Sequence, residues 1–294
     1  LSSREIKKIR KLCCHGNWGD VINLKGISKL KSLEKLDLYA KQLTSMNEIG
    51  KLRKLETLKI EVHKKNKTNI KISSKNNIKN LNLKNVNGGM EAVSKCPKIE
   101  KLRIEGDQTS KSLVIKNNRY IKTISLYSKM DALEKITVQS CKNLKELGIY
   151  TKSGAKLNNL KRIELLNNKK MKYIDVGSNC PNVSKLTVQN LSELRGLYVE
   201  KNNFIENLRL ENVPKLKTII WENGKLRNLE IIGKNSISTM EISNNNFEKF
   251  EYPELKNLSE LNIKNNKLQG AFNVDNYPKV YEFNLNNNNL AMIY

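Results

Sequence analysis

The hexapeptide LxxLxL recurs along almost all of this 294-residue chain, as Leu33-Leu36-Leu38, Leu55-Leu58-Ile60, Ile121-Ile124-Leu126, Leu194-Leu197-Val199, Leu258-Leu261-Ile263 and Val280-Phe283-Leu285. A fixed recurrence constrains a fold more tightly than any local pattern. Each hexapeptide makes only alternate residues apolar, so one unit cannot bury its inner face alone and must stack on copies of itself. The period therefore predicts a solenoid, and recognition must rest on the residues that point outward.

The fourth-position anchors Leu36, Leu58, Leu81, Leu102, Ile124 and Leu147 advance by 22, 23, 21, 22 and 23 residues, so one coil is about 22 residues. A second extended segment falls between them, at "NIKIS" (Ile70, Ile72), "SLVIK" (Leu113, Ile115) and "LEKITV" (Ile136, Val138). From Ile163 onward it repeats as strongly as the first, through Leu186, Leu208, Leu229, Phe250 and Phe272. Each coil is thus expected to carry parallel strands on two walls. Helical turns are expected only at "GGMEAVSKCP" and "LTSMNEIGKL". The gap from Leu147 to Ile163 exceeds a half-period, and "YTKSGAKLNN" reads as an inserted loop. The main series is taken onward as Ile174, Leu197, Ile219, Met240, Leu261 and Phe283; a different absorption of the insert would exchange the two walls. Residues 1–26 lack the repeat. Ile6, Ile9 and Leu12 are spaced for a short amphipathic helix, with a turn at Gly16, Trp18 and Gly19, so this segment is expected to cap a solenoid of about 12 coils over 27–294.

Composition narrows the function classes. No stretch approaches the roughly 18 to 20 apolar residues of a membrane-spanning helix, and the mean hydropathy is -0.58. The chain begins at Leu1 with no apolar leader, and the expectation is that an upstream segment has been trimmed. A formal charge of +25, from 54 Lys+Arg against 29 Asp+Glu, would suit a polyanionic partner such as nucleic acid or an acidic glycan. Lys and Asn are nevertheless scattered through every loop, which reads as drift toward A-rich codons. The Arg-interleaved aromatic stripe that stacks single-stranded bases is missing.

Catalytic and metal motifs are also missing. The two histidines, His15 and His63, stand in no triad spacing, and there is no phosphate-binding glycine loop, HExxH or EF-hand pattern. Cys13 and Cys14 adjoin His15, but no second ligand pair follows at zinc spacing. Cys96, Cys141 and Cys180 occupy one repeat position, about three residues before the next apolar anchor, and are expected to fill the core at an inward bend. No catalytic residue, cofactor or metal is expected.

The coil "LEKLDLYAKQLTSMNEIGKLRKLETLKI" closely resembles the LxxLxLxxNxL pattern of the leucine-rich repeat family, with Lys41 where Asn is usual. Later coils keep that Asn, at Asn245 and Asn266, and Asn179, Asn202 and Asn288 fall in register. The resemblance implies a right-handed α/β-type repeat solenoid, predominantly β, with few helical turns and an inward asparagine ladder. The two-strand coils are similar to those of internalin-like bacterial surface proteins, which implies a binding surface and a secreted or cell-surface location, though fold alone does not dictate activity.

Strand side chains alternate faces, so the third, fifth and seventh residues of LxxLxLx point outward. On the main sheet Tyr127, Tyr150, Tyr173, Tyr198 and Ile220 are expected to form an aromatic stripe across five coils, rimmed by Glu146, Asp175, Glu200 and Glu222. Exposed Tyr ringed by polar groups suits a protein contact; the plainer alternative is that Tyr merely suits an exposed strand. On the opposite sheet Lys135, Arg162, Lys185 and Arg209 form the alternative, anion-facing column, with Thr137, Thr187 and Gln189 between. Such lysines also simply keep a sheet soluble. The sequence therefore predicts a non-enzymatic module that binds a protein partner. A polyanion binder stands second, and a targeting module of a larger effector third.

Overall fold

The structure, a computed structural model, describes residues 3–16, 20–63, 69–107, 109–127, 130–150, 156–176, 180–201, 204–252 and 255–294. The chain is a β-solenoid of about 12 turns with parallel sheets and very little helix, which matches the expected leucine-rich repeat coil. Its residues cluster into two compact units. One comprises 1–137 with 150–159, the other 138–149 with 160–294.

In the first unit the strands Lys11–His15, Lys35–Ala40, Thr57–Val62, Asn80–Lys84, Lys101–Glu105 and Thr123–Tyr127 pair parallel in that order. Leu12, Leu36, Leu58, Leu81, Leu102 and Ile124 stand side by side. From Leu36 on these anchors are buried, as are Leu38, Ile60, Leu83, Ile104 and Leu126 two residues further along. The back wall carries the 3-10 turn Met46–Lys51, the short α-helix Gly89–Val93 and the strand Ser112–Lys116. Both expected helical turns are present. The expected strand at "NIKIS" is not: Ile70 is buried, but the segment forms no ladder. It runs against the 3-10 turn, where a Cβ on Gly50 would lie 3.1 Å from the Lys71 carbonyl. A helical turn offers no extended edge to pair with.

The N-terminal expectation is also corrected. Helix covers only Ser3–Ile6, and Leu12 lies in the strand Lys11–His15. A helix of two or three turns is marginal by itself, whereas pairing against Lys35–Ala40 satisfies the backbone groups of an open sheet edge. Trp18 and Gly19 lie outside the described residues.

In the second unit Ile174, Leu197, Ile219, Met240, Leu261 and Phe283 pair in sequence, so the main series continues as read. The second wall is the sheet Arg162–Leu166, Lys185–Gln189, Asn207–Glu211 and Asn228–Ile232. It stops there, which corrects the expected continuation through Phe250 and Phe272. Phe250 lies in irregular chain, and Phe272 ends the strand Gln269–Phe272, which pairs with Asn289–Ile293 instead. Rings take over the packing: Phe250 has centroids at 5.0 Å to Tyr252 and 5.2 Å to Tyr277. The Tyr252 hydroxyl donates to the Leu229 carbonyl.

Asparagine does two jobs in the bends. Asn85, Asn117, Asn167, Asn190, Asn212, Asn223, Asn244, Asn265 and Asn287 hold φ between 54° and 58°, the left-handed conformation that Asn tolerates better than most residues. Several link amide to amide, as Asn212 to Asn190 at 2.8 Å and Asn190 to Asn167 at 2.7 Å. The asparagines at these bends are therefore conformational and not mere compositional drift. A second set turns inward as expected. Asn245 donates to the carbonyls of Trp221 and Ser243 and accepts from the Leu226 amide; Asn266 and Asn288 repeat the arrangement on the following coils. Asn179 and Asn202 lie outside the described residues. The sequence pattern missed Asn76 and Asn168, which are buried and bond the carbonyls of Leu52 and Val138.

Cys96, Cys141 and Cys180 are buried, with exposures of 2%, 0% and 1%. Their shared local position serves two different walls. Cys96 and Cys141 precede the main-sheet strands Lys101–Glu105 and Glu146–Tyr150, while Cys180 precedes the second-wall strand Lys185–Gln189. Cys96 and Cys141 are two main-sheet strands apart along the chain, and only Cys180 is out of step with them.

Candidate functional site

Strand register decides which outward residues are neighbours. In the first unit Tyr127 pairs with Glu105 at the last outward position of the strand. The Tyr127 and Tyr150 rings meet at 5.2 Å, tilted by 32°. Tyr127 is also met by a cation, since Arg103 Cζ lies 3.8 Å from its ring centroid, and Glu105 is 3.8 Å from the same guanidinium. Tyr127 is thus half-buried under a cation–π contact, whereas Tyr150 is 40% exposed.

In the second unit Tyr173, Gly196 and Thr218 share the first outward row. Asp175, Tyr198, Ile220 and Glu241 share the middle row, and Glu200 and Glu222 the last. The expected stripe is not a single register row in this unit: Tyr173 starts its strand two residues before the position that Tyr198 and Ile220 occupy. Tyr127 and Tyr150 fall in the first unit. Tyr173 is 49% exposed; Tyr198 and Ile220 are half-buried, Glu200 is exposed and Glu222 half-buried.

Among the described residues Glu200, Glu222 and Glu241 have no salt-bridge partner. Ser243 and Asn262 donate to Glu222 and Glu241 instead. Burial, and then the neighbouring Glu222 carboxyl, raise the Glu241 pKa above the ordinary carboxylate value, against a weaker pull from Lys264 and Asn262. Two carboxylates this close resist ionising together.

The opposite sheet differs. Arg162 and Lys185 are register neighbours, but Arg209 pairs with Thr187, one outward position further along. Arg209 also contacts Glu230 through both oxygens, at 3.1 and 3.2 Å, and Glu211 at 3.4 Å. Lys135 lies in the first unit. The expected four-residue anion column is thus corrected: Arg209 is out of line and neutralised, because Glu at alternate positions of its own and the next strand faces it.

Among the described residues no group of three or more His, Cys, Asp and Glu is arranged to hold a metal, and no helix is long and apolar enough to cross a membrane. The residue that sequence reasoning missed is Gly196, two positions before Tyr198 in "RGLYVE". A glycine inside a strand was the available signal.

No protein-family model matches the chain, and no curated protein matches it. Solved structures of leucine-rich repeat proteins are similar to it. The functional domain of InlJ from Listeria monocytogenes is 17% identical, with a TM-score of 0.39 over 99% of this chain and 66% of its own. A leucine-rich repeat protein of Leptospira interrogans is 17% identical, with a TM-score of 0.40 over 99% of this chain and 88% of its own. An internalin, InlF of Listeria monocytogenes, is 17% identical, with a TM-score of 0.31 over 99% of this chain and 77% of its own.

Proposed function

We propose that the protein is a non-enzymatic binding module that holds a protein partner on the outward face of its main sheet. The observation that carries this reading is the pairing of exposed tyrosines with carboxylates that have no salt-bridge partner among the described residues on that face of a strongly basic chain, while Arg209 on the opposite sheet is bound to its own carboxylates. Aromatic anchors within a polar rim are the usual core of a protein contact. The internalin-like form of the coils favours a bacterial protein secreted or displayed at the cell surface, which protease accessibility on intact cells of its source would test.

The test of the face compares two variants against a partner isolated on the wild-type protein. Tyr150→Ala with Tyr173→Ala and Tyr198→Ala should leave the melting midpoint nearly unchanged, since outward side chains contribute little to folding. Affinity should fall by about 2 kcal/mol or more, roughly 30-fold. Arg162→Glu with Lys185→Glu should bind as wild type. The reverse result moves the site to the opposite sheet and makes the partner a polyanion, whose binding then weakens steeply with salt.

A further inference from the structure

Tyr198 does not stand straight off its strand. A Cβ built on Gly196 would lie 2.6 Å from Tyr198 Cε2, 2.7 Å from its hydroxyl oxygen and 2.9 Å from Cζ. The phenol ring therefore fills the space that any side chain at 196 would take. Gly196 is buried although its position faces outward, because that ring covers it. Its φ is not left-handed, so close approach, and not backbone conformation, is what requires glycine here. Gly196 is the register neighbour of Tyr173. The Tyr198 ring is thus laid over the place beside the exposed Tyr173, and two phenols from adjacent strands floor one patch.

The rim of that patch is anionic toward the strand ends, while Lys172 and Arg195 precede Tyr173 and Gly196 on the other side. Asp175 is the register neighbour of Tyr198, Glu200 follows two residues along the same strand, and Glu222 is the register neighbour of Glu200. Among the described residues no Lys or Arg lies over the Tyr173 or Tyr198 ring. The first unit shows how this kind of face treats a guanidinium when its own chain supplies one: Arg103 sits 3.8 Å from the Tyr127 centroid with Glu105 at its edge. The ring quadrupole attracts a cation from the face, and a carboxylate rim adds to the same field.

We propose that Tyr173, Tyr198, Glu200 and Glu222 form a subsite for a Lys or Arg side chain carried by an extended basic peptide, with Gly196 as the positioning residue that lays the Tyr198 ring down. This rests on the reading of the main-sheet face as the binding face. Charge complementarity selects the occupant: in a chain of net charge +25 the acidic island is where a cationic segment is attracted and the surrounding surface turns it away.

The probe is a fluorescein-labelled ten-residue peptide of alternating Arg and Ser, titrated against the full chain at low salt, with an Arg→Gln version as control. The Arg peptide should bind saturably and the Gln peptide should not. Tyr198→Ala, and Glu200→Gln with Glu222→Gln, should each weaken binding at least tenfold. Gly196→Ala should weaken it about fivefold while its melting midpoint stays equal or rises, because the displaced ring is mobile and the unfolded chain loses freedom. In a Tyr198→Ala background Gly196→Ala should have no further effect. Absence of saturable binding, or binding indifferent to these substitutions, overturns the subsite. A further loss from Gly196→Ala without Tyr198 overturns the positioning role. If a protein partner is held through Tyr198 while the Arg peptide fails to bind, the cation subsite falls and the protein-binding reading stands.

Discussion

Asn245 closes one coil by satisfying three backbone groups at once: two carbonyls, of Trp221 and Ser243, and the Leu226 amide. Replacing it by Ala removes three hydrogen bonds at a buried bend and orphans the Leu226 amide, although the Ser243 carbonyl keeps the Asn223 amide, and unsatisfied buried groups are expensive. Asn245→Ala should cost about 2 to 3 kcal/mol in urea unfolding, and a loss under about 0.5 kcal/mol would mean that water replaces the amide. Glu241 presents the opposite case, a residue whose charge works against the fold. Its raised native pKa means that the folded protein keeps a proton which the unfolded chain gives up near the reference value of 4.5. Stability therefore falls as pH rises from that value through the native pKa, and the loss remains at neutral pH. Glu241→Gln mimics the protonated form beside Glu222, Lys264 and Asn262. Thermal melts should show it more stable than wild type at pH 7, with the difference vanishing near pH 4; equal midpoints at both values would show that Glu222 exerts no such pressure.

At the scale of strands and bends, the three buried thiols report whether the bends are closed. Burial pushes the Cys96 and Cys180 thiols up to about 12, with Asp175 adding to the rise at Cys180. Neither thiolate nor access is then available at neutral pH. A thiol reagent should modify the exposed Cys13 and Cys14 quickly, and Cys96, Cys141 and Cys180 only after denaturant is added. Fast native labelling of all five would show that the bends are open. The main-sheet strands were legible because LxxLxL states both the inward period and the register, down to the series through Ile174 and Phe283. The second wall was less legible. The Ile70-Ile72 alternation is as good as that of Leu113-Ile115, but only the latter has neighbouring strands to pair with, and a local pattern does not reveal what the adjacent coil offers. Phe250 and Phe272 kept the spacing of anchors while their rings and that of Tyr277 replaced a ladder by aromatic packing. For the site, outwardness was legible from alternation alone. The direction a ring takes once outside was not, since that depends on Gly196 and on which residue lies across the strand boundary.

For the molecule as a whole, net charge was plain from composition and its distribution was not. Lysines in loops and bends dominate the total, while the main-sheet face of the second unit carries Glu200, Glu222 and Glu241 without salt bridges among the described residues. A pI argument alone would send such a protein to nucleic acid, yet the pairing of Arg209 with Glu230 shows that one member of the basic column is already neutralised. The same register has a genetic consequence. Each strand pairs only with its neighbours, and the anchor spacing holds near 22 residues, so gain or loss of one whole coil of coding sequence would lengthen or shorten the face and leave every remaining pairing intact. An insertion of a single residue within a strand would instead turn its apolar set to solvent. Lineages carrying this protein should therefore differ in repeat number far more readily than in strand length.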